Sequence, residues 1–382
     1  MTKMRKMSKS ARLRMLVRAY DSAYPCPPEL FAGRGDLIRF YKTEVPIPKD
    51  PRISPAPPNV AFLGVWGVGK TSVLRYIAES KEFEEDGFVN LPIVKDFRGI
   101  DDLLAKALQN IKVSTSKIEW LKARLKPQDL KIPVISLKVE SNRDTLTDNL
   151  IKTWGVLEKA GTQHCSILID DFHRLSDDDK LTLRNIFQHL PSEGCNYSLV
   201  ISGAPWTFLT ELAEPVSRFF HHKKQLDPFT LGEIEEALRK PIELLGIDFD
   251  FDESYVEELE RLTLGHPYFV KFITLELAKK YVEVNGGHIK RHRKELLGAL
   301  GGAKFKADFE RASPGEQRVL VYITKKKMAG NFEAREFKEI PSYTKYLERL
   351  CGKEIMNRES RGIYSIYHPL FLEWLQMFAL HK

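Results

Sequence analysis

Residues 64–71 read Gly64-Val65-Trp66-Gly67-Val68-Gly69-Lys70-Thr71, the pattern G-x-x-x-x-G-K-[ST]. Asn59–Leu63 before it is a short apolar run of strand type, and Ser72–Glu79 after it carries helical spacing. Strand, glycine-rich loop and helix in that order commit the chain to a βα unit whose loop wraps an anion. The glycines let the backbone curl so that successive N–H groups face phosphate oxygens, and the helix offers the same anion its positive end. Gly64, Trp66, Gly67, Val68, Gly69, Lys70, Thr71 and Ser72 are therefore the expected nucleotide-binding residues. Lys70 would reach the β- and γ-phosphates and act in catalysis as well as binding, and the Thr71 hydroxyl would ligate Mg2+.

The rest of the chain has room for two or three domains in its 382 residues. Strand-type runs recur at 92–97, 132–139, 166–169 and 197–201, with helical patterns at 100–111 and 144–159 and a charged stretch at 112–130 that reads as an insertion. This alternation predicts the α/β class, a P-loop NTPase parallel sheet covered on both faces. Six prolines between 46 and 58 exclude a helix there and predict an extended linker. After about residue 227 the strand signal fades. Helices are expected at 230–245, 252–263 and 267–284, followed by a basic linker, Lys290–Lys294. Helices at 314–326 and 343–350, then short strands at 354–356 and 363–367 joined by 357–362, have the order of a winged helix-turn-helix. A last helix is expected at 369–378. The expected domains are a basic N-terminal segment (1–26), the P-loop core (27–226), a helical lid (227–303) and a C-terminal winged-helix domain (304–382).

Composition excludes several classes. At 43% hydrophobic and 29% charged residues the chain is neither fibrous nor disordered. It has no apolar run near the ~20 residues that a membrane helix needs, so no membrane partner is expected. Cys26, Cys165, Cys195 and Cys351 lie far apart with no CxxC pair. That argues against a zinc site or disulfide framework and for a reducing, cytoplasmic setting. The net charge of +7 permits nucleic acid as a partner without requiring it. Lys3, Arg5, Lys6, Lys9, Arg12, Arg14 and Arg18 precede the first acid, Asp21. Such a segment reads as a solvated or partner-binding helix, a nucleic-acid arm or a transit peptide.

Hydrolysis needs more than a phosphate loop, and Ser166-Ile-Leu-Ile-Asp-Asp171 supplies it. An apolar strand ending in two acids places Asp170 near the Mg2+ held by Thr71 and aims Asp171 at the attacking water; the plainer reading is two acids capping a loop. Asp171 stands where a glutamate is commoner. It is one methylene shorter, so slow turnover is expected. Ser202 ends the next strand and is either a γ-phosphate sensor or part of a strand-ending turn. Arg218 is a candidate arginine finger acting on a neighbouring subunit, or a surface arginine on Phe219 or Phe220.

Further motifs fall in an informative order: Phe31-Ala-Gly-Arg34, the loop at 64–71, Asp170-Asp171, Ser202, Leu226-Asp-Pro-Phe229, Gly265-His-Pro267 and Tyr367-His-Pro-Leu-Phe-Leu-Glu-Trp374. Across roughly residues 27–376 the chain resembles the AAA-type P-loop ATPases of the STAND and archaeal-ATPase group, related to replication-initiator ATPases. The resemblance implies a helical lid and a C-terminal winged helix. It puts His266 and Pro267 near the nucleotide, where related ATPases carry a lid arginine, although His266 also reads as an ordinary helix-start histidine. It puts Phe31 and Arg34 beside the adenine. The chain departs from STAND proteins in having no repeat array or effector domain.

The expected function is an ATP-binding, Mg2+-dependent hydrolysing switch that self-associates and acts on double-stranded DNA. Tyr343, Lys345, Tyr346 and Arg349 would enter the major groove, with Arg358 and Arg361 on the wing. Residues 311–382 hold 13 Lys/Arg against 8 Asp/Glu, a surplus too small to decide for DNA. The alternative is a signalling ATPase whose winged helix binds a protein partner. A small-molecule kinase is disfavoured, because no acceptor site is evident.

Overall fold

The computed structural model describes residues 8–45, 58–83, 88–117, 143–159, 161–208, 214–328 and 330–379. The chain forms two compact units. One is Pro25–Gly64 with Gly69–Asp227; the other is Met1–Tyr24 with Val65–Val68 and Pro228–Lys382. The first helix, α1 (Lys9–Tyr20), thus belongs with the C-terminal part of the chain, and the expected lid and winged-helix segments fall in a single unit.

In the sheet-bearing unit α2 (Gly35–Glu44) precedes β1 (Val60–Leu63) and α3 (Lys70–Glu79). Then follow β2 (Phe88–Asn90), α4 (Ile100–Lys117), α5 (Arg143–Lys159), β3 (His164–Ile169), α6 (Asp177–His189), β4 (Tyr197–Gly203), α7 (Glu214–Phe219) and β5 (His222–Gln225). The strands run parallel in the order β2-β3-β4-β1-β5, so β4 lies between β1 and β3. Every residue of β1, β3 and β4 is buried, as a sheet covered on both faces demands. Ile167, Leu199 and Ile201 share a core with Leu104, Leu150, Leu183 and Ile186 of the helices. Ser176 caps α6 by accepting from the Asp179 N–H, and three acids in its first turn complement the helix dipole.

The strand expected at 92–97 is displaced. Ladder pairing runs over 88–90 instead, and Pro92 has no N–H to donate. The chain then rejoins β3 at one parallel bridge, Val94 with Ile169. The strand expected at 132–139 and most of the expected linker at 46–58 lie outside the described residues.

In the other unit α1 buries Leu16, Ala19 and Tyr20 in the core, and the Tyr20 hydroxyl donates to the Leu238 carbonyl at 2.7 Å. Arg12 donates to the carbonyls of Asp248 and Tyr281, whereas Lys9, Arg14 and Arg18 are exposed. Lys3, Arg5 and Lys6 lie outside the described residues. Helix α8 (Leu231–Leu245) opens on a Thr230–Glu233 capping box, α9 (Glu253–Thr263) is capped by Asp252, and α10 (Pro267–Ala278) starts with proline in its first turn. The helix expected over 267–284 stops at Ala278, and β7 (Glu283–Val284) pairs in parallel with β6 (Asp250–Phe251).

The linker expected at 290–294 is instead the middle of a helix, α11 (Gly286–Leu300). Its apolar side, Ile289, Leu296, Leu297 and Leu300, is buried at helical spacing, and Lys290, Arg291 and Lys294 are exposed. A π-helical turn (Gly301–Phe305) and α12 (Lys306–Arg311) follow, then α13 (Pro314–Lys325) behind a Ser313–Glu316 capping box. Next come β8 (Asn331–Glu333), α14 (Tyr343–Gly352), β9 (Met356–Ser360), β10 (Ile363–Ile366) and α15 (Pro369–Trp374). The last three strands form an antiparallel sheet in the order β8-β10-β9. The hairpin is longer than expected, because polar Asn357–Ser360 is strand, and it turns at Arg361-Gly362 with Gly362 at φ +78°.

Candidate nucleotide site

Parallel strands deliver their C-terminal ends to one edge of the sheet, where ligands bind in open α/β folds. The loop after β1 begins there, and Asp170 and Asp171 follow β3. Ile169 pairs with Ile201 in register, which sets Asp170 beside Ser202 of β4. Gly69, at φ +102°, turns the chain into α3, and the buried Lys70 ammonium donates to the Gly64 carbonyl at 2.8 Å.

Thr71 Oγ1 donates to Asp170 Oδ2 at 2.7 Å, and the Ser202 hydroxyl donates to Asp170 Oδ1. The Asp171 N–H donates to Ser202 Oγ and to Asp170 Oδ1, each at 3.2 Å. Ser202 is wholly buried and ties the two acids together, so its hydroxyl does more than end a strand. Asp171 sits at φ +54° and Asp96 at φ +57°, left-handed conformations that side chains seldom adopt and that cluster at functional sites. Arg174 Nη1 lies 3.8 Å from Asp171 Oδ2 and 3.9 Å from Asp96 Oδ1.

The other expected residues of this unit are scattered among several roles. Ser72 Oγ accepts from the Cys26 N–H at 3.0 Å. Phe31 is buried and stacks on Tyr76 of α3, with centroids 4.6 Å apart. Arg34 is buried, at φ +63°, and is the N-cap of α2. Arg218 is exposed near the end of α7, while Phe219 and Phe220 are buried.

In the other unit Val65–Val68 meets residues that follow Pro228. His266 is buried, is the N-cap of α10 ahead of Pro267, and lies with Nε2 2.8 Å from the Trp66 carbonyl oxygen. The Trp66 ring meets Tyr268 edge-on at 4.6 Å between centroids, and Lys304 Nζ lies 3.4 Å from its centroid. Tyr268, Lys304, Arg174 and Asp96 were not anticipated. A basic residue one turn after Asp171 is a signal that sequence reading offers for Arg174. No local pattern announces Lys304, because it lies far along the chain from Trp66.

On the C-terminal surface Lys345 and Arg349 are exposed one helical turn apart on α14, and Arg361 is exposed at the hairpin turn. Tyr343 and Arg358 are half-buried. Tyr346, expected with the groove-facing residues, lies instead against Gly315 of α13, where any Cβ would overlap its ring.

The donor set at Thr71 and Asp170 is all oxygen, which suits Mg2+. Mg2+ takes one or two protein oxygens beside substrate phosphates, so a closed ligand cage is not required. Among the described residues no group of three or more His, Cys, Asp or Glu side chains is placed to hold a metal.

No family model and no curated protein matches this sequence. Solved structures do. The Aeropyrum pernix ORC2 protein, in ADPNP–ADP complexes, aligns with a TM-score of 0.53 at 14% identity, covering 96% of this chain and 98% of that one. The chain shares the fold of that protein. The A. pernix ORC1 protein in complex with DNA aligns at 0.47 and 15% identity, covering 95% and 97% of the two chains. A point variant of Thermotoga maritima RuvB aligns at 0.44 and 14%, covering 88% and 92%.

Proposed function

We propose that this protein is an ATP-binding and ATP-hydrolysing switch that uses Mg2+, self-associates and acts on double-stranded DNA. The observation that carries the reading is the 2.7 Å hydrogen bond between Thr71 Oγ1 and Asp170 Oδ2. It brings the loop hydroxyl and the strand-end carboxylate together in one oxygen pair, where the ion would bind. The solved ORC2 relative was determined with ADPNP and ADP, which agrees with a nucleotide ligand.

Thr71 and Asp170 would hold Mg2+, which supplies charge neutralisation on the β- and γ-phosphate oxygens. Lys70 exchanges the Gly64 carbonyl for those oxygens. Asp171 orients a water and accepts its proton as the water oxygen bonds to the γ-phosphorus. The bond to the β–γ bridging oxygen breaks, leaving ADP and inorganic phosphate. Ser202 keeps Asp170 and Asp171 in mutual register. Phe31, Arg34, His266 and Pro267 belong to the nucleotide-binding set. Arg218, exposed on α7, serves a neighbouring copy's nucleotide.

The helix–strand–helix–hairpin order from α13 to β10 supports a winged helix, with Lys345 and Arg349 directed to DNA and Tyr343, Arg358 and Arg361 at its margins. Four free, buried cysteines support a reducing cytoplasmic setting. No helix among the described residues is long and apolar enough to cross a membrane.

Phosphate release from ATP, with and without duplex DNA across a salt series, tests the whole reading. Release is expected to respond to DNA at low salt, and the response should fade as salt rises. Lys345→Ala with Arg349→Ala is expected to abolish that response and leave DNA-free hydrolysis intact. No DNA binding at low salt would make the winged helix a protein-binding module instead.

A further inference from the structure

Trp66 is the third residue of the phosphate loop, and its carbonyl and ring are both engaged by distant residues of its own compact unit. His266 Nε2 lies 2.8 Å from the carbonyl oxygen, and Lys304 Nζ lies 3.4 Å from the ring centroid. Gly67, at φ +74°, is approached so closely that a Cβ there would sit 2.8 Å from His266 Cε1 and 3.0 Å from Tyr268 Cβ. Gly67 is therefore needed for this close approach as well as for the loop's turn. Val65–Val68 is grouped with these residues, while Gly64 and Gly69 on either side are grouped with the sheet.

The chemistry of Lys304 makes the contact informative. Its side chain is only 11% exposed, on the π-helical turn at 301–305, a kind of turn often found at functional sites. Burying an ammonium is costly unless partners offset it. Asp308 Oδ2 does so at 2.9 Å, itself accepting from the Tyr367 hydroxyl at 3.1 Å, and the Trp66 face adds a cation–π contact. If Trp66 moves away, the ammonium loses that face while remaining beside Asp308, so the two residues favour one loop conformation together. The Trp66 carbonyl also shares its peptide plane with the Gly67 N–H. Fixing that oxygen with His266 fixes the direction of an N–H in the phosphate-binding nest.

We propose that His266 and Lys304 clasp Trp66, and that this clasp sets how fast nucleotide leaves the phosphate loop by holding the Trp66–Gly67 peptide in one orientation. The proposal rests on the ATP-binding reading above and adds a means by which the C-terminal residues govern exchange.

The test is stopped-flow release of a fluorescent N-methylanthraniloyl ADP from the full chain, comparing wild type, Lys304→Met, Trp66→Leu and the double variant. Lys304→Met is expected to speed release about two- to thirtyfold, the span from exposed to desolvated cation–π contacts. The double variant should be little faster than Trp66→Leu alone, because both substitutions remove one contact. Lys304→Gln, which retains a hydrogen-bond donor toward Asp308, gives the same comparison if Lys304→Met does not fold. Without nucleotide, amide exchange in a peptide spanning 64–72 should quicken in the Lys304 variant, with β3 and β4 unchanged. Wild-type release from a folded Lys304 variant, or fully additive effects in the double variant, would overturn the clasp and leave the ATP reading standing. No binding of the labelled nucleotide by the wild-type chain would overturn that reading and the clasp with it.

Discussion

Thr71 Oγ1 donates to Asp170 Oδ2 at 2.7 Å, although 99 positions separate the two residues in sequence. Ser202 occupies the other oxygen of the same carboxylate. Asp170 is thus held on both sides by hydroxyls from the helix after β1 and from β4. Those two hydrogen bonds fix the orientation of the carboxylate.

Ser202→Ala tests that arrangement. It leaves Asp170 Oδ1 and the Asp171 N–H without this buried hydroxyl. The expected cost is about 1–3 kcal/mol of stability. Thermal unfolding should shift down by about 2–4 °C for each kcal/mol lost. An unchanged midpoint would show that the hydroxyl is dispensable to the sheet edge.

Lys70→Ala removes the ammonium that donates to the Gly64 carbonyl. Nucleotide affinity is expected to fall by at least about 100-fold, or about 2.7 kcal/mol. Equilibrium titration with a fluorescent ATP analogue reads this directly, with thermal unfolding as the check that the variant is folded. Affinity within a few-fold of wild type would remove Lys70 from the site.

Gly265→Ala combines two penalties. The residue sits at φ +69°, and a Cβ there would overlap the Phe229 carbonyl oxygen, which accepts no displacement without breaking a turn. The Phe229 N–H donates to the Gly265 carbonyl at 2.8 Å in that same turn. A loss of about 2–4 kcal/mol is expected from strain and overlap together, measured by chemical denaturation. A neutral result would show that the Gly265-His266-Pro267 turn can shift freely.

Stability should also depend on pH through two buried histidines. Burial pushes His368 down to about 4 from an ordinary 6.5, against the opposing hydrogen bond to the Thr263 carbonyl, and burial does the same to His164 against its bond to Asn196. Between about pH 4 and 6.5 the unfolded imidazoles bind protons that the folded ones refuse, so stability rises with pH across that window and is fully present above it. Each group contributes up to about 3 kcal/mol. Denaturant unfolding at pH 7 and pH 5 checks this. His368→Gln is expected to be less stable at pH 7 yet to lose less on acidification than wild type.

The sequence was most legible where chemistry is local. Gly64–Thr71 and Asp170-Asp171 each sit in one strand–loop context, so their spacing already implied their neighbourhood. Charge obscured α11: Lys290–Lys294 reads as a linker, although Ile289, Leu296 and Leu297 beside it keep helical spacing and are buried. Short strands were hard to delimit, because β2 and β8 have three residues each and little pattern to display. Tyr346 illustrates a related difficulty, since an aromatic on a helix reads the same whether it faces a ligand or, as here, a glycine of the adjacent helix. The Trp66–Lys304 contact depends on a π-helical turn and on tertiary packing, neither of which residue spacing reveals.

Asp171, held beside Asp170 through Ser202, is the residue proposed to position the water that attacks ATP. Single-turnover phosphate release at saturating ATP and Mg2+, measured for wild type and Asp171→Asn alongside nucleotide affinity, tests it most directly. Unchanged affinity and a rate about 10²–10⁴-fold lower are expected in the variant. Hydrolysis by Asp171→Asn at the wild-type rate would contradict it.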